Sequence, residues 1–341
     1  MGELLSLADA EVLRLWDGLR LGYTESRGLP LLRREIAAMH RGIGEDDVLE
    51  IVPEEGIYLA MQQLVASGDH VVVTAPAYQS LHEIARAAGA RISRWMPEET
   101  SAGWRFDPGE LRRLASAGVK LIVVNFPHNP TGFVPSAAEL DEVVAIAREH
   151  GAWIFSDEMY RTLETGAPTL PSAAELYEKG VALSGLSKTL GAPGLRVGWL
   201  ITRDRAMLAR IAEAKDWTTI CGSAPGEILA VAALRGREKL LARNRAIIAR
   251  GLDAIDGFVA ARPGVLGWSR PRAGSTGLAR LLRKEPASAF CDRLLREKSL
   301  LLLPSALFDF GDAHVRLGFG RADFPEALAE LRDWLGPAAS V

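Results

Sequence analysis

The stretch Val181-Ala182-Leu183-Ser184-Gly185-Leu186-Ser187-Lys188 runs from a short apolar segment into a small turn that carries a lysine. Short apolar runs ended by small or turn-forming residues are typical of buried strands. Four similar runs occur at residues 70–75, 120–125, 152–156 and 198–202. Helical patterns, such as residues 137–149, lie between several of them. This alternation predicts an α/β fold with a mostly parallel central sheet and helices on both faces.

The pattern changes after about residue 225, where the regular alternation of strands and helices ends and a mixture typical of an α+β domain begins. The predicted elements are a long helix (225–260), a strand-and-loop region, a helix (287–298), strands (300–303 and 313–319) and a last helix (324–335). Residues 1–20 also show helical spacing of apolar side chains. We therefore predict a large domain of residues 22–225 and a small domain formed by residues 1–21 and 226–341.

Composition excludes several classes of partner. The 341 residues are 48% hydrophobic and 24% charged, with a formal net charge of −3, so no basic surface for nucleic acid is indicated. No apolar run reaches the roughly 20 residues of a membrane helix, and the first residues lack the basic region of a signal peptide. The only cysteines are Cys221 and Cys291, which favours a reducing compartment. We predict a cytoplasmic protein without a membrane, nucleic-acid or metal partner.

Lys188 is followed eight residues later by Arg196. A lysine in a small, serine-bearing turn with an arginine close by suits a Schiff base beside a phosphate group. The planar guanidinium of arginine matches phosphate oxygens, and either Ser187 or Ser184 can donate to the same phosphate. Taken alone, both charged residues are equally compatible with a solvated surface, so the motifs upstream decide the interpretation.

One upstream motif is Ser156-Asp157-Glu158-Met159-Tyr160, at the end of a predicted strand. In open α/β sheets, ligands bind outside the carboxyl ends of the strands. There Asp157 can pair with a protonated pyridine nitrogen and Tyr160 can donate to a ring oxygen. The alternatives are that Asp157 caps a helix and that Tyr160 packs in the core.

A second motif is Asn125-Phe126-Pro127-His128-Asn129-Pro130-Thr131-Gly132. Its Pro-Thr-Gly suits a tight turn that fixes the Asn129 amide, which can reach the ring oxygen and a substrate carboxylate. Tyr78 follows another strand and can stack on the ring, with core packing as the alternative. A Schiff-base lysine, an acid, oxygen donors, a flat side chain and a phosphate cradle are together what pyridoxal 5'-phosphate (PLP) requires.

This combination resembles the class I/II aminotransferases, which are fold-type I PLP enzymes, from about Gly22 to the C-terminus. The segment Gly22-Tyr23-Thr24-Glu25-Ser26, followed by Gly28, Pro30, Leu32 and Arg33, belongs to the resemblance. The resemblance implies that Arg316, in a late strand, binds the substrate α-carboxylate. It also implies that Tyr23 reaches the cofactor phosphate of the other subunit, in a homodimer with shared active sites.

Three departures from the family accompany the resemblance. The loop expected to bind phosphate at a helix N-terminus is Val52-Pro53-Glu54-Glu55-Gly56, before a helix predicted at 57–64. Pro53 has no amide proton and the acids repel phosphate unless they turn away, which leaves the amides of Glu54 and Glu55 as candidates. Gly185 stands where the family often has a phosphate-binding serine. Because the chain starts late, we expect no N-terminal arm over the partner and altered closure on the substrate.

The leading hypothesis is an aminotransferase that moves an amino group from an L-amino acid to a 2-oxo acid. Lys188 would shuttle the Cα proton while Arg316 and Asn129 hold the carboxylate. The same site is compatible with elimination, cyclisation or oxidation, because the chain is also similar to a biosynthetic subset that includes capreomycidine synthase. A third hypothesis is a PLP-binding protein without turnover. The sequence identifies no second arginine for a dicarboxylate.

Overall fold

The computed structural model describes residues 2–165 and 167–337. Its strands are β1 (Val48–Ile51), β2 (His70–Thr74), β3 (Arg91–Trp95), β4 (Glu98–Thr100), β5 (Gly103–Arg105), β6 (Leu121–Asn125), β7 (Trp153–Asp157), β8 (Gly180–Gly185), β9 (Gly198–Ile201), β10 (Leu266–Gly267), β11 (Thr276–Leu281), β12 (Leu303–Pro304) and β13 (His314–Gly318). Its helices are α1 (Gly2–Leu5), α2 (Ala10–Asp17), α3 (Pro30–Ala37), α4 (Pro53–Leu64), α5 (Ser80–Ala87), α6 (Pro108–Ala115), α7 (Ala137–Glu149), α8 (Ala173–Leu176), α9 (Leu186–Thr189), α10 (Arg205–Lys215), α11 (Ala224–Arg235), α12 (Arg237–Ala261), α13 (Ala287–Lys298) and α14 (Phe324–Trp334).

Seven strands form the central sheet, in the order β1-β9-β8-β7-β6-β2-β3. The five strands from β8 to β3 are parallel, whereas β9 runs antiparallel to both of its neighbours. Along β6, Leu121 and Val123 enter one buried apolar cluster, while Ile122 and Val124 enter another. Burial on both faces explains why these strands are continuous apolar runs. The predicted fold class is therefore confirmed.

A second sheet, β10-β11-β13-β12, is antiparallel throughout. Buried apolar side chains such as Phe290 of α13, Val315 of β13 and Leu328 of α14 pack beneath it. The same cluster also includes Leu186 of α9 and Trp199 of β9, a strand of the central sheet. Since packing is continuous between the two sheets, the domain boundary near residue 225 stays a prediction.

Two predicted helices are wrong in their extent because each contains a break. Residues 1–20 form α1 and α2, and the break lies before Asp9, whose carboxylate caps α2 by accepting from the amides of Glu11 and Val12, both at 3.0 Å. Residues 225–260 form α11 and α12, which meet at Gly236. A Cβ at Gly236 would come within 2.7 Å of Leu7, so the glycine lets the segment between α1 and α2 approach.

Three further differences concern element ends. The predicted strand 300–303 is wrong for most of its length, since only Leu303 and Pro304 pair with β13. The helix predicted at 57–64 begins at Pro53. Strands β1 and β3 and the β4–β5 hairpin carry no clear alternation and were missed, whereas β10 and β11 lie in the predicted strand-and-loop region. Within the described ranges, no helix is long and apolar enough to cross a membrane.

Candidate active site

A cavity of about 620 Å³ opens at the carboxyl ends of β6, β7 and β8 and is closed on its other side by β11 and β13. Nine predicted site residues line it: Glu54, Tyr78, Asn129, Asp157, Tyr160, Ser187, Lys188, Arg196 and Arg316. They come from sequence positions as far apart as 54 and 316, so the fold brings them together. Their individual roles stay predictions.

Asp157 is the buried acid of the cavity, with 6% of its surface exposed. Its Oδ1 accepts from the amide of Met159 at 3.0 Å, and its carbonyl accepts from the Asn125 side chain at 2.9 Å. Burial raises the pKa of the Asp157 carboxyl to about 6, against the Met159 amide and the charge of Lys188. A cationic ring nitrogen placed beside this carboxylate would favour its charged form, so the acid fits the pyridine nitrogen of PLP.

Lys188 lies in α9, the single helical turn that follows β8. Arg196 ends the next short turn in the left-handed conformation, with φ 58°, and its Nη1 donates to the carbonyl of Pro193 at 3.1 Å. Lys188, Arg196 and Ser187 thus line the same cavity. This donor set fits an aldehyde-bearing phosphate ester, because it offers one amine, one guanidinium and one hydroxyl.

Asn129 and Arg316 are neighbours across the cavity. Arg316 Nη1 donates to Asn129 Oδ1 at 3.4 Å, and Thr276 Oγ1 donates to the same oxygen at 3.4 Å. The amide of Asn129 donates to Asn125 Oδ1 at 2.8 Å. Burial lowers the pKa of Arg316 below its ordinary value, against the effect of Tyr160. An amide beside a partly desolvated guanidinium is an arrangement that can bind a carboxylate.

Gly132 lets the Asn129 turn touch the C-terminal region. It has a φ of 68°, and a Cβ there would come within 2.3 Å of Cβ of Pro271. Its carbonyl accepts from the amides of Arg272 and Ala273 at 3.0 and 3.2 Å. The turn is therefore fixed from both sides, as its Pro-Thr-Gly sequence predicts.

Tyr160 is 6% exposed and packs on Gly274, where a Cβ would lie 3.2 Å from the tyrosine ring. Burial raises the pKa of its hydroxyl above the ordinary value, although hydrogen bonds with Ser275 and Thr276 and the charge of Arg316 act in the opposite direction. The hydroxyl therefore stays protonated near neutral pH and can donate to a ring oxygen.

Glu54 and Tyr78 form the wall opposite the second sheet. Pro53 is the first residue of α4, a position where its missing amide proton is not needed, so the amides of Glu54 and Glu55 lie in the first turn, where amides lack intrahelical partners. The Glu54 carboxylate accepts from the hydroxyl of Ser80. Burial, followed by the charge of Glu54, raises the pKa of the half-exposed Tyr78.

Three predicted residues lie outside this cavity. Ser184 lines a different cavity with Trp199, and its Oγ donates to the Glu158 carbonyl at 3.4 Å. Of the two serines, only Ser187, in α9, lines the described cavity. Glu55 turns its carboxylate to Thr219, whose Oγ1 lies at 3.0 Å. Tyr23 is 89% exposed on the surface.

Sequence reasoning missed four residues of the site. Asn125 links Asp157 to Asn129, and Ser275, Thr276 and Arg321 line the cavity. Asn125 could have been found, because a polar side chain ending a buried apolar strand is a signal in its own right. The other three carry no local signal, since only tertiary packing brings them to the cavity.

Comparisons with known proteins agree with this geometry. A family profile described as aminotransferase class I and II matches residues 4–330. Capreomycidine synthase from Streptomyces vinaceus is 30% identical over 339 residues, which cover 98% of this chain and 85% of that protein. A PLP-dependent aminotransferase from Streptococcus suis 89-1591 superposes with a TM-score of 0.91 at 32% identity, covering 98% of this chain and 89% of its own. The PLP-dependent cyclase OrfR superposes with a TM-score of 0.89 at 29% identity, with the same coverages.

The profile spans nearly the whole chain, and both structures superpose along it. The residues predicted for PLP meet in one cavity of suitable donors. This chain therefore belongs to the aminotransferase class I and II family, shares its fold-type I architecture, and is a PLP-dependent enzyme.

Proposed function

We propose that this enzyme is an aminotransferase that moves the amino group of an L-amino acid to a 2-oxo acid. The observation that carries the proposal is the convergence of Lys188, Asp157 and Arg316 on one cavity. An amine, a buried acid and a guanidinium beside Asn129 supply a proton carrier, a partner for a cationic ring and a carboxylate site. These are the groups that amino-group transfer requires of the protein.

When bound, PLP supplies a sink for the electrons released as the substrate Cα–H bond breaks. The residues proposed to hold it are Asp157 at the ring nitrogen, Tyr160 and Asn129 at the ring oxygen, Tyr78 on the ring face, and Arg196, Ser187 and the amides of Glu54 and Glu55 at the phosphate. Asp157 keeps the ring nitrogen protonated, because its own burial makes a cationic partner favourable.

Two groups act on the substrate in this proposal. Arg316 and Asn129, whose Nη1 and Oδ1 atoms are 3.4 Å apart, bind the α-carboxylate of the substrate. They thereby fix the position of its Cα in the cavity. The Lys188 Nζ would move a proton between the substrate Cα and the cofactor carbon on the far side of the amino nitrogen, acting as general base and then general acid. Because the carboxylate site holds the substrate next to Lys188, the proton transfer proceeds as if both groups belonged to one molecule.

We also propose that the enzyme is a homodimer in which Tyr23 serves the partner's phosphate site. Tyr23 is 89% exposed and Trp217 is 86% exposed. Large aromatic side chains at such exposure favour an interface over bulk water. For the compartment, we propose the cytoplasm, which is supported by the free thiols of Cys221 and Cys291.

The test is amino-group exchange by the purified, PLP-loaded protein. We expect 2-oxo acid formation that needs both an amino acid and a 2-oxo acid acceptor, and loss of this exchange in Lys188→Ala. Arg316→Ala should raise KM for the amino acid while the visible absorbance of bound PLP is retained. Wild-type protein that binds PLP but exchanges no amino group with any common amino acid would sink the proposal.

A second candidate function is PLP-dependent cyclisation or elimination. It is favoured by the similarity to capreomycidine synthase and to the cyclase OrfR. The same proton removal by Lys188 would begin such a reaction. Product that forms without any 2-oxo acid acceptor, with no new 2-oxo acid of the substrate skeleton, would support this candidate over amino-group transfer. Absence of any product would support a PLP-binding protein without turnover.

A further inference from the structure

The charges of the cavity are not all used by the proposed function. Six charged side chains line the described cavity: Glu54, Asp157, Lys188, Arg196, Arg316 and Arg321. In the proposed function, Asp157, Lys188 and Arg196 hold the cofactor, and Arg316 binds the substrate carboxylate. Arg321 is already neutralised by Asp323, with Nε–Oδ1 and Nη2–Oδ2 distances of 2.9 and 2.8 Å. The carboxylate of Glu54 is left without a cation.

Glu54 faces the cavity rather than the helix to which it belongs. Its carboxylate accepts from the Ser80 hydroxyl and interacts with the Tyr78 hydroxyl. No arginine, lysine or histidine of the described residues forms an ion pair with it. Its neighbour Glu55 turns in another direction, to Thr219 at 3.0 Å. Glu54 is exposed and lines the cavity, so its carboxylate is open to a cationic ligand.

The same orientation separates the two parts of Glu54. Its backbone amide lies in the first turn of α4, whereas its carboxylate is held by Ser80 on α5. The amide is thus available to an anion, while the side chain lines the same cavity as Tyr78 and Arg316. Glu54, an acid that is unexpected in a phosphate-binding loop, can therefore act through its side chain away from the phosphate.

We propose that Glu54 recognises the substrate side chain, and that the substrates are L-amino acids ending in a guanidinium or ammonium group. This inference rests on the proposed function, in which Arg316 fixes the opposite end of the substrate. A guanidinium matches a carboxylate as a bidentate fork, and the exposed ring of Tyr78 offers a face for the same cation. Aspartate and glutamate are disfavoured, because their side-chain carboxylate meets the Glu54 charge.

Arginine and citrulline provide the kinetic test, since they have the same length and differ in the charge at the end. We expect kcat/KM of the wild-type enzyme to favour arginine by about tenfold or more. Glu54→Gln should remove about tenfold of that preference by raising KM for arginine, with citrulline changed by less than about twofold. Glu83→Gln, which neutralises an acid of α5 outside the cavity, should leave both substrates unchanged.

A binding test avoids the chemistry. Arginine without its α-amino group, 5-guanidinopentanoate, and its neutral counterpart 5-ureidopentanoate cannot react with the PLP-loaded enzyme. Calorimetry should give a dissociation constant about tenfold lower for the guanidino compound. Glu54→Gln should bring the two constants together, and Glu54→Asp should keep part of the difference.

The outcomes separate this inference from the proposed function. If Glu54→Gln weakens both members of each pair equally, or weakens PLP binding alone, Glu54 belongs to the cofactor site and the inference is wrong. An equal preference for arginine and citrulline in the wild-type enzyme also overturns it. If no amino acid is converted, the proposed function fails, and the two pentanoates still decide whether Glu54 binds a cation.

Discussion

The ring of Pro53 packs against the backbone of Gly185. A Cβ atom added to Gly185 would stand 3.3 Å from Cγ of Pro53 and 3.0 Å from Cα of Gly198. A Cβ on Gly198 would come within 2.6 Å of the same proline carbon. Pro53 therefore borders the volume that a serine at position 185 would need, together with the carbonyl of Val197 at 3.1 Å and the backbone of Gly198. The proline that begins α4 and the missing serine thus share one packing contact.

Gly185→Ser should lower the free energy of unfolding by about 1–3 kcal/mol, because the added atoms overpack the contact with Pro53. In a Pro53→Ala background the same substitution should cost less, since the Cγ contact is gone. Urea denaturation of the four proteins measures this coupling. Gly194→Ser is the matched control, because a Cβ at Gly194 meets nothing within 4 Å. An equal cost in both backgrounds would assign the strain to the backbone of Val197 and Gly198 instead.

Asp157 should give the PLP-free enzyme a pH-dependent stability. Burial raises the pKa of its carboxyl to about 6 in the folded protein, above the ordinary value of 3.8. The folded state therefore retains a proton that the unfolded state releases, and stability falls as the pH rises from about 4 to about 6. Relative to Asp157→Asn, the wild-type protein should lose roughly 3 kcal/mol across this window.

Chemical denaturation at several pH values, with and without PLP, tests this expectation. Bound PLP should flatten the difference between the two proteins, because a cationic ring nitrogen lowers the pKa of Asp157. A difference that is independent of pH in the PLP-free protein would contradict the raised pKa. A pH-dependent difference that persists with PLP would contradict the pairing of Asp157 with the ring nitrogen.

The residues of the site that could be predicted share a local signal. Asp157 ends one buried apolar strand and Lys188 lies in the turn after another, so the sequence shows both the strand and the polar group at its end. Ser275 and Thr276 have no such signal. They reach the cavity because β11 pairs with β13, which places Thr276 opposite Gly318 and Leu278 opposite Arg316. The sequence of one segment does not by itself show which distant segment it pairs with.

The fold shows the same division between local and distant causes. The buried strands and the helices α7 and α13 were predictable because one face or both faces are continuously apolar. The breaks at Asp9 and Gly236 were missed because apolar spacing continues through them. The segment 300–303, which was expected to form a strand, is as apolar as the buried strands that were predicted. It pairs only at Leu303 and Pro304, since strand formation needs a partner and not only apolar side chains.

Glu227 should fix the loop that carries Tyr23. It is fully buried, its Oε2 accepts from the amide of Leu29 at 2.6 Å, and its Oε1 accepts from Thr24 Oγ1 at 2.9 Å. Glu227→Ala should therefore speed hydrogen exchange of the Leu29 amide by about tenfold or more, since the hydrogen bond to the Glu227 carboxyl is lost. Glu238→Ala, at an exposed glutamate of α12, is the control. Unchanged exchange in Glu227→Ala would show that the backbone alone holds the loop.

Tyr23 should affect cofactor binding although it does not line the cavity of its own chain. If its hydroxyl donates to the phosphate in a neighbouring subunit, Tyr23→Phe should raise the dissociation constant of PLP by about tenfold, which corresponds to one hydrogen bond to a charged group. Equilibrium titration with PLP measures the change. Sedimentation should show the same dimer for both proteins, since the ring remains. An unchanged dissociation constant would remove Tyr23 from the proposed site.

Mixing two variants tests whether the site is shared, if activity is assayed at a PLP concentration too low to fill the Tyr23→Ala site. A heterodimer of Lys188→Ala and Tyr23→Ala subunits contains one site with both defects and one with neither, if Tyr23 serves the partner's Lys188. Random reassortment should then restore about one quarter of wild-type activity. If Tyr23 instead serves its own subunit, every site of the heterodimer keeps one defect and no activity returns. The same mixture of Lys188→Ala with Asp157→Asn should stay inactive in both cases, because both residues belong to one subunit's cavity.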